Sequence, residues 1–84
     1  MKFTARQARQ LAEKYGVNLE VVPLKVFQYG LNVELEHGTK FPLSNITNDD
    51  PDMTAKIVLA HLQEFPNYYQ RLKQMERKLE KDNK

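Results

Sequence analysis

The stretch "NDDPDMTAKIVLAHLQEFPNYYQRLKQMERKLEK", residues 48–81, decides how this chain folds. Asp50, Pro51 and Asp52 place an N-cap side chain, a proline suited to a first helical position and an acid in the first turn, so a helix starts here. Met53, Ile57, Val58, Leu59, Ala60, Leu62 and Phe65 cover most of the circumference that follows. This pattern predicts a helix over 51–64 that forms the buried centre of the domain. Pro66 bars simple continuation and suits the start of a new helix. Phe65, Tyr68, Leu72, Met75 and Leu79 then recur at spacings of 3, 4, 3 and 4 among charged residues. That spacing predicts a helix over 66–81 with one narrow apolar seam, Tyr68 in the seam and Tyr69 partly exposed, and a last turn and tail, "KDNK", that fray.

Working toward the amino end, "TKFPLSNITNDD" (39–50) is made of loop formers, with Phe41, Leu43 and Ile46 expected to anchor it over the core. Before it, Leu24, Phe27, Leu31 and Leu35 recur at helical spacing, Pro23 suits a first helical position and Gly38 supplies a stop, predicting a helix over 23–37; Gly30 is its weak point, and the sequence leaves open whether the helix bends or breaks there. Val21 and Val22 favour extended chain, but a strand through "LEVVPL" has no convincing partner run. The first helix is expected over 4–15, opened by the capping-box pair Thr4 and Gln7 and closed by Gly16. Its apolar stripe is Phe3, Ala8, Leu11, Ala12 and Tyr15. The expected fold is all-α: one domain over 1–84, a compact orthogonal bundle of about four short helices with an ordered loop between the second and third.

At 84 residues the chain suffices for one domain with a small core. It has no cysteine, which excludes disulfides, thiolate metal sites and a thiol nucleophile. No apolar run approaches the roughly 18 residues of a membrane span, and "MKFTARQARQ" lacks a signal peptide's apolar segment, so a soluble, cytoplasmic protein is expected. Residues 1–31 carry five Lys/Arg against two acids and residues 65–84 six against three, whereas Glu34, Glu36, Asp49, Asp50 and Asp52 face only Lys40 within 32–52. The acidic middle is expected to meet the basic ends inside the fold.

Two acid–imidazole pairs stand three residues apart, Glu34 with His37 and His61 with Glu64, and each pair shares a helix face. If their helices pack together, the four side chains are chemically adequate ligands for zinc or iron. The second pair runs in reverse order, however, and the further glutamates of a di-iron site are missing. The competing reading is a polar clasp, in which Glu34 or Glu64 accepts a hydrogen bond from a histidine of the adjacent helix. No nucleophile or phosphate-binding glycine loop accompanies these residues, so no enzymatic activity is expected. Tyr69, Arg71 and Lys73, with Arg6 and Arg9, are candidate contacts for a protein partner. The same basic helices, first and fourth, are the candidates for nucleic-acid association, which a net charge of only +2 disfavours.

"GLNVELEHGT" (30–39) followed in order by "NITNDDPDMTAKIVLAHLQEFPNYYQRLKQME" (45–76) resembles a small uncharacterised domain family of bacteria and large DNA viruses, with a pattern of G, E-x-E-H, an acidic turn, then A-H-L-x-E-x-P-x-Y-Y. The resemblance implies a compact helical domain and draws attention to Glu34, Glu36, His37, Asp49, Asp50, His61, Glu64, Tyr68 and Tyr69. It implies no particular reaction. The leading expectation is a non-enzymatic protein-interaction module, an accessory protein of viral, phage or bacterial origin acting on a larger partner. Metal binding and nucleic-acid association are the alternatives.

Overall fold

Thr4 opens the first helix through the expected reciprocal cap. In the computed structural model, which describes residues 2–82, its hydroxyl accepts from the Gln7 N–H at 3.1 Å while the Gln7 side chain accepts from the Thr4 N–H at 2.9 Å. Helix α1 runs Ala5–Lys14. Gly16, at φ +69°, lets the chain turn back so that the Gly16 and Val17 N–H groups reach the carbonyls of Glu13 (3.3 Å) and Ala12 (2.8 Å), a Schellman closure. The Asn18 carbonyl then accepts from both Val21 and Val22, so this valine pair lies in a turn and not a strand. Helix α2, Leu24–Glu34, begins after Pro23 and continues unbroken through Gly30 into a 3-10 turn, Leu35–His37. A second 3-10 turn, Pro42–Ser44, precedes helix α3, Pro51–Glu64. The Asp50 carboxylate caps α3 by accepting from the N–H groups of Asp52 and Met53 at 2.8 and 3.1 Å.

Helix α4, Tyr68–Asp82, starts two residues later than the proline signal indicates. Pro66 and Asn67 are spent on a turn that the Phe65 carbonyl closes by accepting from Tyr68 N–H at 2.9 Å. Lys81 and Asp82 are helical, and the remainder of the tail expected to fray, Asn83 and Lys84, lies outside the described residues. Among the described residues there is no strand, and the fold is a four-helix all-α bundle.

The centre of the bundle is α2, not α3 as the hydrophobic circumference of α3 suggests. Helix α2 packs against α1, α3 and α4 and buries Phe27, Gly30, Leu31 and Glu34. The core around it comprises Phe3, Ala8, Leu11, Ala12, Val22, Leu35, Ala55, Val58, Leu62 and Tyr69. Helix α3 offers only the face of Thr54, Ala55, Val58 and Leu62, because with four short helices it has neighbours on one side; Met53 and Phe65 are exposed.

The loop after α2 is also held differently from the expectation. Phe41, Leu43 and Ile46 are all exposed, Leu43 completely, so they do not anchor it. Polar groups do. The His37 carbonyl accepts from the N–H groups of Ile46 (2.6 Å) and Thr47 (3.1 Å), and the Asp49 carboxylate accepts from the Thr39 N–H (2.9 Å) and hydroxyl (2.6 Å). Those two bonds, the hydroxyl first, hold the Asp49 carboxyl below its ordinary pKa. Asn48 and Asp49 both adopt left-handed backbone, φ 50° and 63°, a conformation these two residue types tolerate best after glycine. A Cβ on Gly38 would overlap the Asp49 side chain, so the glycine is needed for close approach and not for its φ of −105°.

Candidate functional site

Glu34, in the last turn of α2, is buried to 2% exposure. Such a carboxylate is costly unless its oxygens are satisfied. The Tyr69 hydroxyl, arriving from the first turn of α4, donates to its Oε2 at 2.8 Å. The imidazoles take the flanks: His37 Nε2 lies 3.4 Å from Oε1 and His61 Nε2 3.7 Å from Oε2. Both imidazoles are partly open to solvent while the carboxylate beneath them is not. His61 stacks on the Tyr68 ring, centroids 4.3 Å apart and planes within 2°, and meets the Tyr69 ring edge-on at 6.2 Å. Tyr69 is fully buried, its ring over Gly30 at 2.9 Å from where a Cβ would stand. Burial and the bond to Glu34 push the Tyr69 phenol far above its ordinary pKa, so it stays a neutral donor. Among the described residues no buried side-chain oxygen or nitrogen lacks a partner.

Three of the four residues considered as metal ligands therefore meet, namely Glu34, His37 and His61, but Glu64 is exposed and outside the group. The imidazoles address different oxygens of one carboxylate. Among the described residues, no group of three or more His, Cys, Asp or Glu side chains is placed to hold a metal ion. The clasp differs from the expected one in its donor: a phenol, not a histidine, makes the hydrogen bond. Tyr69 is thereby corrected from a surface contact to a core residue, because α4 turns this tyrosine inward and leaves Tyr68 at the boundary. A helix with a glycine facing an aromatic-rich neighbour was the signal available for this. The clasp is a structural junction of α2, α3 and α4, and no groove on the surface opens onto its carboxylate among those lined by Phe65 to Lys78, Phe3 to Pro51 and Lys25 to Lys73.

Beyond Leu72 every described side chain of the same helix is exposed, and Lys73 and Glu76 touch the body at Tyr29. Phe65, Met75 and Leu79 are 57, 53 and 54% exposed, in line with the half-buried Tyr68 and Leu72. Phe65, Tyr68, Leu72 and Met75 floor a groove of about 620 Å³ whose remaining walls are Arg71, Gln74 and Lys78. Of the residues proposed for a partner, Arg71 borders this groove. Lys73 lies on the other side, with its ammonium 5.3 Å from the Tyr29 ring centroid, and Arg6 and Arg9 are exposed on α1, which does not line the groove. Among the described residues no helix is long and apolar enough to cross a membrane.

The profile of a family described as a protein of unknown function, DUF5661, matches residues 8–78. It takes in α1 from Ala8 onward as well as the motif-bearing segment, and so includes the Glu34 clasp and the groove of α4. No curated protein and no solved structure matches the chain. The chain belongs to the DUF5661 family.

Proposed function

We propose that the protein is a non-enzymatic interaction module that docks a helix of another protein onto the outer face of α4. The observation that carries this reading is the line of Tyr68, Leu72, Met75 and Leu79, spaced as in a coiled-coil seam and headed by Phe65 of the preceding turn, yet covered past Leu72 by none of the described residues. A surface helix of a monomer ordinarily turns such a stripe to its core. The Glu34 clasp serves this reading by fixing the first turn of α4 to α2, which aims the rest of the helix outward. The partner class is a helix, because a groove with apolar anchors at 3 and 4 residue intervals matches the i, i+3, i+7 contacts of helix-in-groove recognition.

Site-specific photocrosslinking in the producing cell tests the reading. A photoreactive residue at Leu79 is expected to give discrete protein adducts that disappear in a Met75→Gln, Leu72→Gln background, while one at Arg9 on α1 gives none. Equal adducts from both positions, or none from Leu79, overturn it.

A further inference from the structure

We infer that the partner helix is acidic along one flank, an inference that rests on the docking reading above. The charged side chains bordering the groove are all cationic. Arg71 and Lys78 stand seven residues apart on one edge, about 10 Å along the axis at 1.5 Å per residue, with Gln74 between them. Among the described residues no acidic side chain lines the groove. Of the acids of α4, Glu76 stands on the side toward the body, its carboxylate 3.4 Å from the Tyr29 hydroxyl.

The acidic middle of the chain does not neutralise this edge either. Glu34 is held by Tyr69, Asp49 by Thr39, Asp50 by the start of α3, and Asp52 by Lys14 and Tyr15, while Glu36 acts on Tyr29, on the side of α4 away from the groove. Among the described residues, neither Arg71 nor Lys78 makes an ion pair. An apolar seam with one cationic edge is complementary to a helix that carries apolar anchors and, beside them, two acids at the same seven-residue interval.

Two other occupants fit less well. A second copy packed antiparallel through this groove sets Arg71 of one chain beside Lys78 of the other, which repel. An anionic lipid surface also attracts cations, but a helix lying in a bilayer presents a broad apolar face, and this stripe is a narrow seam bounded by Arg71, Gln74 and Lys78.

The experiment uses the whole chain and two stapled helical peptides with one identical leucine seam, flanked by Glu in the first and Lys in the second. Each is titrated at low and at physiological salt. The Glu peptide is expected to bind about tenfold more tightly, from two favourable pairs replaced by two repulsive ones. The gap should narrow as salt rises and reverse in the Arg71→Glu, Lys78→Glu variant, whose circular dichroism and urea midpoint stay those of the parent because both residues are exposed. Equal binding of both peptides overturns the acidic flank and leaves the docking reading standing. Failure of both to bind, with adducts from Leu79 unchanged in the Met75→Gln, Leu72→Gln background, overturns both. Self-association of the chain through this face in sedimentation, or tighter binding to phosphatidylserine vesicles than to the Glu peptide, also overturns the inference.

Discussion

The Tyr69 hydroxyl is the donor on which a buried carboxylate depends, and the phenylalanine variant isolates it. Tyr69→Phe keeps the ring in its place over Gly30 and removes only the 2.8 Å bond to Glu34. Leaving that oxygen without its donor is expected to cost about 1–3 kcal/mol in urea denaturation; a loss below about 0.5 kcal/mol, the level of a neutral surface change, contradicts the clasp. Gly30→Ala tests the other side of the same ring. Helix propensity favours alanine by about 1 kcal/mol, but the new methyl meets a ring hemmed in by Tyr29, Tyr68 and His61. Overpacking of that kind costs about 1–3 kcal/mol, so the variant is expected to be destabilised, and a stabilised one refutes the close approach. The meeting of Glu34 and His61 was readable from their places in two helical runs. The burial of Tyr69 was not, because adjacent aromatics differ in facing by one helical step, and the heptad-like spacing through Leu72 singles out Tyr68, which does lie in the seam. What decides is the empty site above Gly30, a property of two helices together.

At the scale of elements, local chemistry marked the starts and stops well. Thr4 with Gln7, Gly16, and Asp50 with Pro51 act through neighbours within a few residues, so they operate as the sequence suggests. Phe41, Leu43 and Ile46 show the limit: apolar residues in a loop are buried only if a helix lies beneath them, and here the loop is tied by Asp49 and Thr39 at its rim. Helix α1 joins α3 through Asp52, which accepts from Lys14 Nζ at 2.6 Å and Tyr15 Oη at 2.5 Å. The Lys14 bond, then the Tyr15 bond, lower the pKa of the Asp52 carboxyl. A folded value below the unfolded one gives stability that is fully present above about pH 4 and is lost as pH falls through the folded value. The difference in urea midpoint between the parent and Asp52→Asn is therefore expected at neutral pH and should vanish in acid; a pH-independent difference contradicts the link. Helix α4 is anchored in the core by Tyr69, with Tyr68 and Leu72 packed against it; every described side chain from Lys73 onward is exposed, and Lys73 and Glu76 touch the body at Tyr29. A free helical segment of about ten residues is marginal in water. Its amides are expected to exchange quickly in the isolated chain and to gain protection when a helix docks; slow exchange throughout the free α4 argues that something in the chain already covers it.

Over the whole molecule, shape and charge point the same way. The radius of gyration is 13.1 Å, against about 12 Å for a compact domain of this length. The long dimension is 41 Å. The acidic middle meets the amino-terminal basic segment at Asp52 and Lys14, as the charge distribution suggested, but the carboxy-terminal basic segment keeps its cations on the outside. A small core centred on α2 thus supports a helix whose apolar line past Leu72 is covered by none of the described residues. The most direct measurement is a backbone NMR map of amide shifts as the Glu-flanked helix is titrated into the chain. Shifts concentrated over Phe65–Leu79, with α1 and the His37–Asp49 loop unmoved, are what this account predicts; shifts centred on that loop or on α1, or none at saturating peptide, contradict it.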